Sequence, residues 1–406
     1  IQNHRIALGN VTSDGSLANV TALLVAREKA FPPEANFPGL RVAGMHRALQ
    51  HYGVDRAVVM VSTRGHYSIK KAANLLGLGE ENVITIPVDG KNRINISSLS
   101  RKIDSFKERG NKNRTKIIAI VGIAGTTETG NVDDLVALGK IARETGAYFH
   151  VDACWGGSAL LADEYRGLFA GIERADSVSI DAHKLLYCPM SMGLILFRNE
   201  KDLNAIRHSS KYIIRRNSVD MGRFTVEGSR PFAALKPWAS LKIIGREGYG
   251  ILMKQARKAT ENLLGMIRHC GNFEALNEPD LFILTYRFLP ETLKNHIASL
   301  EETVDREKGQ EKKESEEKIK KINYLVNGLN IKLHKALRRD DTSFVSRTTL
   351  ESTRYRPQDI VVLRAVLMNP LINRKVLEEI VDTQNRIGLK IWKEFEPAYQ
   401  KMINGR

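Results

Sequence analysis

The sequence predicts an α/β protein, in which a large domain with a mostly parallel β-sheet is followed by a smaller α+β domain. The first observation is that short apolar runs alternate with helical patterns over about the first 230 residues, as in parallel sheets that are buried on both faces. The second is a long helical pattern at residues 235–270, after which strand-like runs and helices resume. With 406 residues the chain is long enough for two domains. We expect a large domain over residues 1–270 and a small one over residues 271–406.

The elements of the large domain are expected where apolar runs of strand length alternate with helical patterns. Ligands of such sheets bind beyond the carboxyl ends of the strands, so polar residues at these ends are candidates for a functional site. In chain order the sequence predicts a helix at Val20–Ala30, a buried strand at Ile117–Val121, a helix at Asp133–Thr145, and strands at Tyr148–Asp152, Ser177–Ile180 and Gly193–Phe197.

The small domain combines further strand-like runs with helical patterns. Strand-like segments occur at Leu281–Phe288, Phe344–Leu350 and Ile360–Met368, and a helical tail at Arg374–Met402 closes the chain. The segment Glu301–Lys320 contains eight acidic and six basic residues, so its charge is nearly balanced. Such a composition favours a solvated helix or a mobile connector over a binding element.

The charge of the chain is strongly positive, since 62 Lys and Arg residues against 46 Asp and Glu residues give a formal net charge of +16. A nucleic-acid-binding protein and a protein that attracts anionic small molecules would both carry such a charge. The positive residues are scattered, however, and neither an arginine-rich tail nor an aromatic-basic RNA-binding motif is present. The sequence favours a basic surface around a site that uses anions, and we expect no nucleic acid partner.

Cysteine usage and hydropathy are typical of a cytoplasmic enzyme. The three cysteines, Cys154, Cys188 and Cys270, are far apart and odd in number, as expected in a reducing compartment. No Cys-x-x-Cys pair indicates zinc or redox chemistry, and we expect no metal. No apolar run approaches the roughly 20 residues of a membrane span, and the start of the chain, Ile1–Arg5, is polar and unlike a secretory signal.

An aspartate and a lysine lie at the ends of two neighbouring predicted strands. Asp152 ends the first strand, and the pair His183-Lys184 follows the second, with Lys184 32 residues after Asp152. A single Lys is most often a solvated surface group, but this combination is what pyridoxal phosphate requires. Its aldehyde needs an amine, which only Lys supplies within a folded chain, and its pyridine nitrogen needs a carboxylate that keeps it protonated. We expect Lys184 to carry the cofactor as a Schiff base, with burial and nearby positive charge easing the loss of the ammonium proton.

A candidate phosphate-binding turn lies near the start of the chain, in Thr12–Asn19, directly before an apolar helical pattern. A Gly15-Ser16 turn at a helix start offers unpaired backbone N–H groups and a favourable helix dipole to a phosphate. Ser and Asp residues also simply cap helices, so the pattern alone is a weak signal. Together with Lys184 downstream, it predicts that Gly15 and Ser16 bind the cofactor phosphate.

These residues resemble the group II pyridoxal-dependent decarboxylases, a family that includes the glutamate, cysteine-sulfinate and aromatic amino acid decarboxylases. The resemblance extends from the Gly15 turn to Pro370, and its most specific parts are His150–Gly157 and the strand end before Lys184. The stretch Ile180–Met190 is most similar to the bacterial aspartate 1-decarboxylases related to glutamate decarboxylase. The resemblance implies fold type I, pyridoxal 5′-phosphate as the cofactor, and a homodimer with the cofactor near the subunit boundary.

The resemblance also implies a role for each candidate residue around the cofactor. Lys184 would hold it, Asp152 would pair with the ring nitrogen, and His66 would stack on the ring. His183 would lie beside the phosphate and the imine, while Thr127 would approach the ring substituents or the substrate. Taken without the resemblance, His66 is more readily interpreted as an interior histidine with satisfied hydrogen bonds.

Three further residues carry implied roles. Tyr212 matches a tyrosine on a mobile loop that protonates the product carbanion, with plain packing as the alternative. Arg364 matches an arginine that grips a substrate carboxylate, and its apolar strand pattern, where an unpaired charge is costly, favours an anionic partner. A structural Asp or Glu would serve equally well as that partner. Cys154 stands where most members have Ala and would pack on the cofactor ring.

Two further departures from the family are visible. The common Asn-Pro-His-Lys becomes Asp181-Ala-His-Lys184, in agreement with the aspartate-decarboxylase subgroup. Family members also carry an additional N-terminal segment that helps to form the dimer and the substrate pocket, and this chain begins at Ile1 without it. We expect that an N-terminal portion of the protein is missing from this chain.

The expected activity is α-decarboxylation of a small acidic amino acid, with L-aspartate giving β-alanine and CO2. L-Glutamate giving γ-aminobutyrate is the alternative, because Arg364 suits any substrate with a second carboxylate; cysteine sulfinate stays open, and an aromatic substrate is less suited. Another lyase or transaminase of the same fold, or a subunit that has lost catalysis, are further alternatives. A nicotinamide or ATP enzyme is disfavoured, because neither G-x-G-x-x-G after a strand nor G-x-x-x-x-G-K-[ST] is present.

Overall fold

The chain forms two compact units, Ile1–Ile251 and Leu252–Arg406. The division falls within a long helix that ends at His269, so the domain boundary that we expect at residue 270 lies at the end of the same helix and stays a prediction. In the part of the chain that is described, no helix is both long and apolar enough to span a bilayer. The computed structural model describes residues 8–107, 114–210, 221–340, 344–355 and 357–404.

The first unit is built on a seven-stranded sheet with the spatial order β1-β7-β6-β5-β4-β2-β3. Strands β3, β2, β4, β5 and β6 are parallel to one another, and β7 is antiparallel to both of its neighbours. The sheet confirms the predicted mostly parallel arrangement, and β5 and β7 have the bounds expected from the sequence. The strands are β1 (Gly9–Thr12), β2 (Arg56–Ser62), β3 (Val83–Ile86), β4 (Thr115–Ile123), β5 (Tyr148–Asp152), β6 (Ser177–Asp181) and β7 (Gly193–Phe197).

Helix α1 brings the N-terminal part of the chain to the centre of this sheet. It begins at Gly15, before the expected Val20, because Asp14 caps it by accepting a hydrogen bond from the N–H of Leu17 at 2.8 Å. Its buried face packs against β4, β5, β6 and β7. The helices of the unit are α1 (Gly15–Ala30), α2 (Leu40–Tyr52), α3 (Ser68–Leu75), α4 (Ile96–Ser105), α5 (Leu135–Thr145) and the first part of α6 (Leu235–His269).

The bounds of α5 and β5 follow from their local sequence. Asp134 caps α5 by accepting a hydrogen bond from the N–H of Ala137 at 3.0 Å, and Gly146 ends the helix in the left-handed conformation with φ of 68°. The chain then enters β5, whose five residues are all buried between β4 and β6. Asp152 is the last residue of β5 and therefore lies at the edge of the sheet where ligands bind.

The second unit contains a four-stranded antiparallel sheet with the order β10-β11-β9-β8. The three strand-like runs expected from the sequence correspond to β9, β10 and β11. The segment Glu301–Lys320, in which acidic and basic residues nearly balance, forms the end of α7 and the start of α8 and is largely exposed. The elements are β8 (Phe273–Ala275), β9 (Ile283–Phe288), α7 (Glu291–Arg306), α8 (Gln310–Asp340), β10 (Ser346–Glu351), β11 (Asp359–Val366) and α9 (Arg374–Asn404).

A buried charge cluster stabilises the interior of the second unit. Arg287 is fully buried and donates hydrogen bonds to Glu274 at 2.6 Å and to Asn323 at 2.8 Å. The hydroxyl of Tyr355 and the guanidinium of Arg354 also donate to Glu274, at 2.7 and 2.5 Å. A buried charge is tolerated only when it is paired in this way, so Arg287 has a structural role inside the unit.

Candidate active site

A cavity of about 250 Å³ lies beyond the carboxyl ends of the central strands. The last residues of β4, β5 and β6 line it together with the first turn of α1. The residues that the sequence analysis assigns to the cofactor are thus brought together in one place. All eight of them line the cavity: Gly15, Ser16, His66, Thr127, Asp152, Cys154, His183 and Lys184.

The carboxylate of Asp152 is buried, and both of its oxygens accept hydrogen bonds. Oδ1 accepts from the backbone N–H of Cys154 at 3.1 Å, and Oδ2 accepts from Nδ2 of Asn19 at 2.9 Å. Burial alone would raise the pKa of Asp152, but His150, the N–H of Cys154 and Lys184 outweigh burial, and the pKa is lowered. Asp152 is therefore an anion at neutral pH, as a partner for a protonated ring nitrogen must be.

Lys184 lies in the turn after β6, and its amine contacts a carboxylate. Nζ is 2.8 Å from Oδ2 of Asp181, the last residue of β6. Burial lowers the pKa of Lys184, but the charge of Asp181 overcomes this effect, and the pKa is raised overall. The expectation of nearby positive charge is therefore wrong, because the charged group in contact with the amine is an anion that holds Lys184 as an ammonium ion.

Asn19 of α1 connects the strand ends through its side-chain amide. Nδ2 donates to Oδ2 of Asp152 and to Oγ of Ser68, both at 2.9 Å. Because a carboxylate only accepts hydrogen bonds, this orientation makes Oδ1 the acceptor end of the amide. Oδ1 accepts from the hydroxyl of Ser179 at 2.8 Å and lies 3.0 Å from Nε2 of His150. Nε2 of His150 therefore carries the hydrogen.

Both histidines near Asn19 are neutral at pH 7. Burial lowers the pKa of His150 to about 4, and its Nδ1 accepts from the hydroxyl of Ser177 at 2.9 Å. Burial also lowers the pKa of His66, whose Nδ1 is 2.8 Å from Oγ of Ser68. The backbone N–H of Ser68 also donates to this Nδ1 at 3.3 Å. Nδ1 is therefore an acceptor, so the hydroxyl of Ser68 donates to it and the hydrogen of the neutral ring lies on Nε2.

The first turn of α1 approaches the strand ends closely. Asp14 caps the N–H of Leu17, and the other N–H groups at the start of a helix have no partner within the helix. A Cβ at position 15 would lie 2.5 Å from Sγ of Cys154 and 2.7 Å from Oδ2 of Asp181, so only glycine fits there. A backbone turn of this kind at a helix N-terminus is suited to bind a phosphate.

His183, Cys154 and Thr127 complete the assigned lining residues. Nδ1 of His183 lies 2.8 Å from the carbonyl oxygen of Met192 and 3.2 Å from the backbone nitrogen of the same residue, and Nε2 of His183 lies 3.9 Å from Oδ2 of Asp181. Burial raises the pKa of Cys154 well above its usual range, so this side chain is a neutral thiol. Thr127 is exposed at the edge of the cavity.

Two further assigned residues, Tyr212 and Arg364, have roles that the described cavity does not test. Tyr212 lies outside the described residues. Arg364 lies on β11 of the second unit, where it is half-buried and its Nη1 is 3.4 Å from Oγ of Ser346. The roles of Tyr212 in proton transfer and of Arg364 in substrate binding therefore stay predictions.

Sequence reasoning gave no role to Asn19, Ser68, His150, Ser179 or Asp181, although the motifs that contain them were identified. A usable signal was present for four of them, because Asn19, His150 and Ser179 are polar residues in largely apolar segments and Asp181 ends a buried strand. Polar groups in such positions are nearly always hydrogen-bonded. Which partners they have depends on contacts between distant parts of the chain.

Together these groups have the chemistry that a pyridoxal-phosphate site on an α/β fold needs. Lys184 has an amine that could react with the aldehyde, Asp152 is a buried anion that could pair with the ring nitrogen, and the α1 turn has N–H groups that could bind the phosphate. The chemistry of this donor set fits the cofactor. Among the described residues, no cluster of His, Cys, Asp and Glu side chains is arranged to hold a metal ion.

The chain belongs to the family of pyridoxal-dependent decarboxylases, since the model of the pyridoxal-dependent decarboxylase conserved domain matches residues 2–289. It is 40% identical over 382 residues to an aspartate 1-decarboxylase of Aliivibrio fischeri. The aligned residues make up 94% of this chain and 66% of the relative. It is 30% identical over 287 residues to the human acidic amino acid decarboxylase GADL1. Here the aligned residues make up 69% of this chain and 52% of that protein. The chain thus spans about two thirds of the first relative and about half of the second.

Solved structures of the same fold agree with this membership. The crystal structure of mouse CSAD in apo form matches with a TM-score of 0.75 and 25% identity, over 94% of this chain and 71% of that chain. The structure of Oryza sativa TDC with PLP and tryptamine matches with a TM-score of 0.75, over 94% of this chain and 70% of that chain. The second structure is only 18% identical and supports the fold alone. The cofactor of the family is pyridoxal phosphate.

Proposed function

We propose that this protein catalyses the α-decarboxylation of L-aspartate to β-alanine and CO2. The main support is the 40% identity to an aspartate 1-decarboxylase over 94% of the chain. The positions of Lys184 and Asp152 at the ends of adjacent strands support it as well. The chain spans 66% of that relative, so the activity of the relative is a proposal for this protein.

The residues of the cavity would bind and orient the cofactor. When bound, pyridoxal phosphate supplies an electron sink for the electron pair that CO2 leaves on the α-carbon. Asp152 keeps the ring nitrogen protonated, and the hydrogen bonds from Asn19 and the N–H of Cys154 hold its carboxylate in one orientation. The neutral ring of His66, held through Nδ1 by Ser68, is available for stacking.

Proton delivery and recognition of the side-chain carboxylate are assigned by resemblance. Tyr212 would deliver a proton to the α-carbon of the product, and its loop would exclude water from the cavity. Arg364 would bind the second carboxylate of the substrate, because a guanidinium offers two parallel donors to a carboxylate. Both assignments belong to this proposal.

L-Glutamate, which would give γ-aminobutyrate, is the second candidate substrate. It is favoured by the 30% identity to GADL1, a protein named as an acidic amino acid decarboxylase. Glutamate differs from aspartate by one methylene, and a pocket discriminates such a difference by only about 1–3 kcal/mol. The two substrates therefore have to be compared directly.

We also propose that the protein is a cytoplasmic homodimer. The thiols of Cys154 and Cys188 are buried and form no disulfide, which suits a reducing compartment.

The support for a dimer comes from exposed apolar side chains in the first part of α6. The exposed fractions are 50% for Leu235, 59% for Trp238 and 84% for Ile243. Exposed apolar side chains of this size are common at subunit interfaces, and sedimentation of the cofactor-loaded protein would measure the oligomeric state.

The test of the proposed function compares two substrates and two lysine variants. The full-length, cofactor-loaded protein is incubated with L-aspartate or L-glutamate, and β-alanine and γ-aminobutyrate are quantified. Lys184→Ala removes the amine of the site, and Lys91→Ala, at an exposed position outside the cavity, is the matched control. We expect β-alanine from the wild type and from Lys91→Ala, and none from Lys184→Ala.

The other outcomes are informative as well. γ-Aminobutyrate as the main product would retain the decarboxylation and change the substrate to glutamate. The absence of both products from the loaded, full-length protein would contradict the assignment of an acidic substrate.

A further inference from the structure

Asp181 is a buried carboxylate, and only one of its two oxygens has a polar partner among the described residues. It ends β6 and is 4% exposed, and its Oδ2 contacts Nζ of Lys184 at 2.8 Å. Its Oδ1 is buried and has no hydrogen-bond partner among the residues that the structure describes. An unsatisfied buried oxygen of a charged group costs free energy, so this atom requires an explanation.

The carboxyl group of Asp181 lies where an anion has to bind. A Cβ at Gly15 would be 2.7 and 2.8 Å from the two carboxyl oxygens, so they lie against the first turn of α1. That turn is the proposed site of the cofactor phosphate. Two anions brought together in a buried site repel each other strongly, and the repulsion is relieved when one of them takes up a proton.

The surroundings of Asp181 favour its neutral form once Lys184 has lost its charge. Burial raises the pKa of Asp181, and the charges of Lys184 and His183 are the main influences that lower it. Asp152 raises it further. The other titratable groups that line the same cavity are Asp14, His66 and Cys154.

We propose that Asp181 accepts the ammonium proton of Lys184 when the cofactor is bound and remains an uncharged carboxyl beside the phosphate. The N–H bond breaks at Nζ and an O–H bond forms at Oδ2, with no other reactant. Nζ keeps the electron pair that it needs as a nucleophile. One positive and one negative charge disappear together, so the repulsion between Asp181 and the phosphate disappears with them.

This inference explains the departure of the sequence from the common Asn-Pro-His-Lys motif. An amide has the shape of a carboxyl group but cannot accept a proton from an ammonium ion at neutral pH. Asp181 instead provides a proton acceptor, its Oδ2, at 2.8 Å from Nζ of Lys184. The inference deepens the proposed function, because it rests on the cofactor site and on the proposed position of the phosphate.

Infrared difference spectroscopy of the whole protein tests the protonation state directly. Spectra are recorded with and without bound pyridoxal phosphate, on protein made with ordinary or with [4-¹³C]aspartate. We expect the C=O band of one carboxylic acid to appear on binding and to shift with the ¹³C label. Asp181→Asn should lose this band, while Asp202→Asn, which changes another buried aspartate in the same unit, should retain it.

A second variant covers the case in which Asp181→Asn does not fold or bind the cofactor. Asp181→Glu keeps a carboxyl group at this position, so the band should persist without the shift from labelled aspartate. A loaded wild type without the band, or a band that Asp181→Asn retains, would overturn the proposal. These readouts do not depend on turnover, so the band can appear in a protein that fails to decarboxylate aspartate, and the two failures are distinguishable.

Discussion

Asn19 donates a 2.9 Å hydrogen bond to Oδ2 of Asp152 across 133 residues of sequence. The same amide also bonds to Ser68 and accepts from Ser179, so it joins α1 to the start of α3 and to the ends of two central strands. The orientation of the Asp152 carboxylate therefore depends on a side chain in the first helix.

Replacing Asn19 by Leu removes the amide at nearly constant volume. The change leaves Oδ2 of Asp152 and the Nε2–H of His150 without their partners, at a cost of about 1–3 kcal/mol for each buried group. We expect a lower free energy of unfolding and weaker binding of pyridoxal phosphate, measured by denaturation and by titration. A variant as stable as the wild type, with unchanged affinity, would show that the network does not orient Asp152.

His150 should make the protein sensitive to mild acid. Its pKa is about 4 in the folded state and about 6.5 when unfolded, so between these pH values the unfolded state binds more protons. Its contribution to stability is complete above pH 6.5 and is lost as the pH falls towards 4, by about 2 kcal/mol at pH 5. Urea unfolding at pH 7 and pH 5 measures this loss.

The matched variants separate His150 from other acid-sensitive groups. His150→Gln should reduce the difference in stability between pH 7 and pH 5, whereas His46→Gln, at an exposed position, should leave it as in the wild type. An equal pH dependence in all three proteins would contradict the assignment to His150.

Gly15 should tolerate no side chain. In Gly15→Ala the new Cβ would lie 2.5 Å from Sγ of Cys154, and such overpacking costs about 1–3 kcal/mol. We expect the affinity for pyridoxal phosphate to fall by roughly ten- to a hundredfold, measured by titration. Gly167→Ala, where a Cβ meets nothing within 4 Å, is the control and should bind as the wild type does.

Tyr212→Phe tests the assignment of the proton donor. If Tyr212 protonates the α-carbon, its loss should lower the yield of amine and divert turnover towards aldehyde or transamination products. Product analysis by mass spectrometry, with the released cofactor forms quantified, would detect the change. Unchanged product ratios would point to another donor.

The central strands could be predicted because they are short, continuous apolar runs in the sequence. Tyr148–Asp152 and Gly193–Phe197 are apolar runs with clear bounds, and both were placed to the residue. The cavity-lining positions of Asp152 and Lys184 followed from the rule that ligands bind at the carboxyl ends of parallel strands.

The pairings inside the cavity could not be predicted from the same patterns. In the sequence, Asn19 is one polar residue in an otherwise apolar helical pattern. Nothing nearby in the sequence indicates that it forms a hydrogen bond with Ser179, which is 160 residues away. The contact of Lys184 with Asp181 reversed the expected direction of the lysine's pKa, because one short distance decides the electrostatic balance in a buried site.

The amide of Asn19 also bears on how the first unit folds. Its partners are separated from it by 49 to 160 residues, so the site exists only after contacts of high sequence separation have formed. Such contacts are slow to form, since loop closure precedes any gain from them. We therefore expect the cofactor to bind late in folding. Once bound, it stabilises the native state by mass action, and the rate at which affinity for pyridoxal phosphate appears during refolding reports when this part of the chain is complete.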